Sequence, residues 1–196
     1  MARRAAEARA TIPDLELGTE VDLERAVRDD GLALTATLVR ACALALREHP
    51  RANAAYRDGQ FELYERVHVG LLVSDEQDLV LATIFDADGK SLSELTTEIE
   101  GLRRRAGALT QPERSGATFA LVHQESVAWQ TPMIWSGQAA SVTAGAVREV
   151  PIVRDRRVVP GRTLTLTLAC DHRILYGAAA ARFLTRIKEL VEGMEL

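Results

Sequence analysis

Leucine and threonine alternate without a break from Thr163 to Leu168, the two-residue period of a strand that buries one face and turns the other to a different environment. The polarity changes directly after it: Asp171, His172 and Arg173 follow Ala169 and Cys170, and Gly177 with the run Ala178 to Ala181 opens a second pattern. There the apolar positions Phe183, Leu184, Ile187, Leu190 and Val191 recur at helical spacing. A chain of this kind must seat that strand and that helix on one core, with three ionisable residues at their junction. A histidine between two opposite charges at a strand end is a group whose tautomer and orientation its neighbours can set.

At 196 residues the chain is long enough for one well-buried core and reads as a single domain. Its 47% hydrophobic and 27% charged content is ordinary globular composition. A net charge of −4 gives no general attraction to nucleic acid. The basic clusters Arg3-Arg4, Arg103 to Arg105 and Arg154 to Arg157 are interleaved with acids and read as solvated faces, with contact to an anionic cofactor as the alternative. Cys42 and Cys170 make no disulfide framework and are expected to be buried, reduced thiols. With His49, His68, His123 and His172 they are too few and too scattered for a metal site, so no metal is expected. No apolar leader and no membrane-length run is present, which points to the cytoplasm and to no membrane partner.

In chain order, Ala2 to Ala10 reads as a helix ended before Pro13, and Ile12 to Val21 as a strand. A long helix follows Thr35, with Leu38, Val39, Cys42, Ala45 and Leu46 at intervals of three and four, and Pro50 stops it. Asp58-Gly59 marks a tight reversal between Tyr56 and a strand over Phe61 to Arg66. Val67 to Val73 and Leu79 to Phe85 are two further strands with a turn at Asp75 to Asp78. Ser91-Leu92-Ser93-Glu94 is a capping box ahead of a helix that ends near the basic triple at Arg103. Gln111-Pro112 marks a loop. Strands are expected at Ala117 to Val122 and Ser141 to Val147, and a hairpin about Arg154 to Arg157 joins Val150 to Val153 with Val158-Val159. Strands and helices interleave without regular alternation, so the class is α/β in the loose sense, a mixed sheet flanked by helices.

Asp171-His172-Arg173, then Gly177 and a small-residue helix, resembles the C-terminal signature of the 2-oxoacid dehydrogenase acyltransferases, the E2 catalytic core, whose fold is that of chloramphenicol acetyltransferase. The likeness extends over nearly the whole chain. Glu20-Val21-Asp22, His49-Pro50 with Asn53-Ala54, Phe85 to Asp88 with Lys90-Ser91-Leu92, Gly116 to Phe119, and Thr131-Pro132 with Gln138 to Ala140 all match stretches of that family. The resemblance implies a sandwich of mixed sheet and helices, a homotrimer or multiples of it with the active site between subunits, and a coenzyme A thioester, acetyl-CoA first of all, as substrate. His172 takes the place of the general base, supported by Asp171, Arg173, Tyr176 and Gly177.

Asp78-Leu79-Val80-Leu81-Ala82 stands where the family has Gly-Leu-Val-Val-Pro, so a changed pocket wall is expected, and two single positions also depart from the family pattern. Val122 stands where the family places a serine or threonine that donates to the tetrahedral intermediate, and a valine side chain cannot donate. Tyr176 stands where it has Asp or Asn, though a phenol hydroxyl is itself a donor. His123, Gln124 and Ser126, in a loop about two residues shorter than the family's, are the candidates for the missing oxyanion or acceptor contact. Residues 1–196 form the core alone, so no lipoyl or subunit-binding domain and no covalently bound lipoate is expected. The leading expectation is therefore an acyltransferase acting on a small-molecule hydroxyl or thiol, as in tetronate-like natural-product pathways. The alternatives are a non-catalytic E2-like scaffold and a dihydrolipoamide acyltransferase core.

Overall fold

The computed structural model describes residues 10–24, 31–74 and 79–194. In chain order these carry β1 (Asp14–Asp22), α1 (Leu32–Glu48), a 3-10 turn at Pro50–Ala52, β2 (Ala54–Arg57), β3 (Gln60–Leu63), β4 (Val69–Ser74) and β5 (Leu79–Ile84). They continue with α2 (Leu92–Arg104), α3 (Gln111–Ser115), β6 (Phe119–His123), β7 (Ala140–Ala144), β8 (Arg148–Arg154), β9 (Arg157–Asp171) and α4 (Gly177–Gly193). The helix expected over 2–10 lies outside the described residues except for Ala10, and so does the turn expected at 75–78.

The strands form a mixed sheet in the order β1-β9-β7-β6-β4-β5, with β8 also paired to β9, while β2 and β3 make a separate hairpin. The β4–β6 and β6–β7 pairings are parallel and the others antiparallel. Alternation along β9 sorts its side chains as the sequence predicts: Leu164, Leu166 and Leu168 are fully buried in the main core with Leu38 and Leu46 of α1 and Phe183 and Ile187 of α4. Phe183 packs edge-on to Phe119 of β6, 5.9 Å between centroids, which pins α4 to the centre of the sheet. The threonine face is covered too. Thr143, Thr163 and Thr167 are buried there, and the Ser141 hydroxyl donates to the Met133 carbonyl at 2.9 Å, tying the β6–β7 connection onto that face.

Local chemistry fixes the remaining boundaries. Asp58 (φ 49°) and Gly59 (φ 82°) make the two-residue β2–β3 turn with both residues in the left-handed region. Ser91 caps α2 and Glu94 reaches back to its amide at 2.8 Å, the box read from the sequence. β7 ends at Ala144 and not at Val147, because a Cβ on Gly145 would lie 2.0 Å from the Ala128 carbonyl oxygen, where the β6–β7 connection crosses. The Gln111-Pro112 loop is instead the first turn of α3. Glu113 accepts from both the amide (2.8 Å) and the hydroxyl (2.7 Å) of Thr110, and Pro112 suits an opening turn whose amides have no helical partner. Val158-Val159 and the Thr163–Cys170 stretch are one strand. Pro160 and Gly161 between them lie opposite Pro151 and Val150, in a two-stranded ribbon that runs past the end of β1, an edge where a missing N–H is tolerated.

Candidate active site

β9 delivers Asp171 to the edge of the core, where its amide donates to the Ala139 carbonyl at 2.8 Å. The Ile174 and Leu175 amides both donate back to the Asp171 carbonyl at 2.9 Å, so the chain reverses at this point and enters α4. Two apolar side chains anchor the reversal: Leu175 enters the main core, and Ile174 joins a small cluster with Ala54, Ala139 and Tyr56. The turn is thus nailed down on both sides of its polar residues.

Asp171 and Arg173 pair with each other. The carboxylate, 1% exposed as a residue, accepts from the Arg173 amide at 3.0 Å and from its guanidinium at 2.9 Å (Nε to Oδ1) and 2.6 Å (Nη2 to Oδ2). The guanidinium in turn lies 4.0 Å from the centroid of the Tyr56 ring, a cation–π contact. This hydrogen-bonded carboxylate raises the Arg173 pKa above its ordinary value. The expectation that His172 is held between two charges is corrected here: the charges satisfy one another, and the ring stands outside their pair. In a helix residues two apart point to different sides, whereas in this turn the chain folds back so that Asp171 and Arg173 meet across His172.

His172 is exposed. Its amide donates to the Pro13 carbonyl at 2.9 Å, which ties the turn to the entry of β1. Among the described residues its imidazole makes no hydrogen bond; its one ring contact is with Tyr176, edge to face, 5.8 Å between centroids and 83° between planes. Tyr176 precedes the first residue of α4, is 54% exposed and makes no side-chain cap. Gly177 opens the helix, and a Cβ there would meet nothing within 4 Å. Beside the turn, on the Arg173 side, lies a cavity of about 580 Å³ whose wall includes Ile12, Tyr56, Trp135, Gln138 and Arg173 but not His172.

The other candidates are elsewhere. His123 is in register with Ala144, which pairs with Leu166, five residues before Asp171. At about 3.3 Å per residue and about 4.8 Å per strand, that places His123 on the order of 20 Å from the turn. Its side chain is 2% exposed, with Nδ1 2.9 Å from the Thr35 hydroxyl of α1, and burial lowers its pKa, so it is a neutral imidazole facing the helix layer. The Gln124 amide donates to the Ala144 carbonyl at 2.8 Å, continuing the ladder, and Ser126 lies exposed in the loop beyond. Val122 is buried on the opposite face of β6 from His123 and pairs with Thr143. Within one chain, none of these residues meets His172. Sequence reading also missed Tyr56 and Ile174, which hold the turn; no motif marks them, because they act through packing between distant elements.

Cys170, next to the turn, is buried, and burial pushes its thiol up to about 12, which leaves it a poor nucleophile. Among the described residues no three His, Cys, Asp or Glu side chains gather closely enough to hold a metal, and no helix is long and apolar enough to cross a membrane.

The family model for the 2-oxoacid dehydrogenases acyltransferase catalytic domain matches residues 1–196. The chain belongs to this acyltransferase family. The dihydrolipoyllysine-residue acetyltransferase component of the pyruvate dehydrogenase complex from Bacillus subtilis is 30% identical to this family member over all of its length and 48% of the relative's. The chain therefore spans about half the length of the curated relatives it matches. Its fold superposes on that of a probable dihydrolipoamide acetyltransferase from Listeria monocytogenes with a TM-score of 0.93 and 26% identity, covering 99% of this chain and 90% of that one. The Azotobacter vinelandii dihydrolipoamide acetyltransferase follows at 0.89 and 25%, covering 98% and 86%. In that enzyme a serine, a histidine and an asparagine four residues after the histidine have been investigated for their role in the catalytic mechanism. This chain carries Tyr176 four residues after His172.

Proposed function

We propose that this domain moves an acyl group, acetyl in the first instance, between coenzyme A and a dihydrolipoyl thiol, with His172 as general base. The observation that carries the proposal is the exposed imidazole, presented by a turn that Asp171, Arg173, Ile174 and Leu175 hold rigid. In the reaction the imidazole takes the proton of the attacking thiol, the sulfur adds to the thioester carbonyl carbon, and the old carbon–sulfur bond breaks. The departing thiolate then recovers the proton from the imidazolium. The relatives support a dihydrolipoyl acceptor over the small-molecule hydroxyl of a natural-product pathway, since they are acetyltransferase components of pyruvate dehydrogenase complexes. Because Val122 and its loop sit far from His172 in one chain, a complete site needs a second copy, and a homotrimer or a multiple of it is the assembly proposed. Acetyl-CoA offered to dihydrolipoamide and, separately, to small primary alcohols tests the acceptor: CoA release with the dithiol alone supports this assignment, and release with alcohols alone overturns it.

Val122 favours a second reading, a core that retains assembly and has lost chemistry. One missing oxyanion donor costs about 10²–10³ in rate. On that reading the natural sequence transfers no acyl group to any acceptor, and the double substitution Val122→Ser with Tyr176→Asp creates activity; measurable turnover by the natural sequence excludes it.

A further inference from the structure

A general base works when its lone pair points at the proton to be removed, and an exposed imidazole on two free torsions does so only part of the time. In this chain the usual means of fixing such a ring is missing. The neighbouring carboxylate, Asp171, is committed to Arg173, and among the described residues the ring has no hydrogen-bond partner. What touches it is the Tyr176 ring, nearly perpendicular at 83° and 5.8 Å away.

We infer that Tyr176 is a positioning residue for His172: its ring, by edge-to-face contact, holds the imidazole in one rotamer where a hydrogen-bonding side chain would otherwise do so. The inference rests on the assignment of His172 as base. Three features support it. First, Tyr176 precedes the first residue of α4, and the helix is seated by Ala180, Phe183, Leu184 and Ile187, so the aromatic ring is carried by a fixed backbone. Second, the Tyr176 side chain makes no cap and is 54% exposed within one chain, so helix capping does not explain an aromatic residue here. Third, the perpendicular arrangement is one of the preferred geometries for aromatic pairs, so the contact selects an orientation and not only a distance. The ring rather than the hydroxyl is the working part, since no hydrogen bond to the hydroxyl is present among the described residues.

The test uses the full chain, acetyl-CoA and dihydrolipoamide, with Tyr176→Ala and Tyr176→Phe compared to wild type. Tyr176→Ala is expected to lower kcat about three- to tenfold, the range one aromatic pair of this geometry supplies, while KM for both substrates stays within about twofold. Tyr176→Phe, which keeps the ring, is expected to restore most of the lost rate. The second readout needs no turnover. In histidine-labelled protein the three-bond couplings that report the His172 side-chain rotamer, assigned from the resonance lost in His172→Ala, should average over several rotamers in Tyr176→Ala and keep their wild-type values in Tyr176→Phe. Unaveraged His172 couplings with unchanged kcat in Tyr176→Ala overturn the inference. Equal losses in the Phe and Ala variants overturn it as well, because the hydroxyl would then be the active part. Full turnover by His172→Ala would count against the base assignment alone, since the couplings are read without substrate.

Discussion

Replacing Asp171 with Asn tests how the turn is held, because the two side chains have nearly the same shape while the charge is lost and one of the two oxygens that accept from Arg173 becomes an NH2 donor. Asp171 is the one buried carboxylate of the turn, and Arg173 gives it two guanidinium contacts at 2.9 and 2.6 Å besides the backbone amide at 3.0 Å. Removing one partner of a fully buried pair costs about 3–5 kcal/mol. Here the Arg173 side chain keeps 32% of its surface in water, so part of its charge remains solvated and the lower figure of about 2–3 kcal/mol is the better expectation. For a domain of this size that corresponds to a fall in Tm of about 5–10 °C. Urea denaturation of Asp171→Asn, Arg173→Met and the double variant gives the coupling energy directly. A coupling above about 1 kcal/mol is expected, with the double variant less damaged than the sum of the singles. Singles that cost under about 0.5 kcal/mol and add without coupling would refute the clamp and with it the account of how His172 is presented.

Phe183→Ala, which empties a fully buried site against Phe119 and His49, should cost about 3–5 kcal/mol in denaturant titrations. Gly145→Ala should destabilise by about 1–3 kcal/mol or more, since its methyl would meet the Ala128 carbonyl at 2.0 Å and displace the crossing segment. Stability should also fall on mild acidification. Burial lowers the pKa values of His68 and His123 in the folded protein. Above the ordinary imidazole value of about 6.5 both rings are neutral folded or unfolded; below it the unfolded chain binds protons that the folded one resists. Stability therefore drops with falling pH until the folded rings themselves protonate. Denaturant curves at a series of pH values between 8 and about 5 should show this drop, and a His123→Asn, His68→Asn double variant should lose much of it.

The parts of the fold that the sequence disclosed are those where one local rule decides. Alternation placed Leu164, Leu166 and Leu168 on the core face, the Asp58-Gly59 pair made its turn, and Ser91 with Glu94 started α2. Thr110 and Glu113 have the same three-residue interval as that box, yet Gln111-Pro112 reads as a loop because proline ends helices more often than it opens them; at a helix's first turn it fits. Pro160 and Gly161 likewise read as a break in β9, because whether a strand position is an edge depends on which strands stop short beside it, and β1 stops at Asp22 opposite Thr163. At the site, the triplet and Tyr176 were legible as residues. That Asp171 would choose Arg173 over His172 was not, since it follows from the reversal that Ile174 and Leu175 impose. Nor does spacing along the chain show that His123, Gln124 and Ser126 lie at the far end of the sheet; that needs the register of three strands.

The most direct test is the rate of acetyl transfer from acetyl-CoA to dihydrolipoamide by wild type and by His172→Ala. The ring is exposed and makes no hydrogen bond among the described residues, so its loss should leave Tm and CoA binding nearly as they were. The expected outcome is a folded, CoA-binding variant slower by about 10²–10⁴. Equal rates in the two proteins would contradict the assignment of His172 as the base.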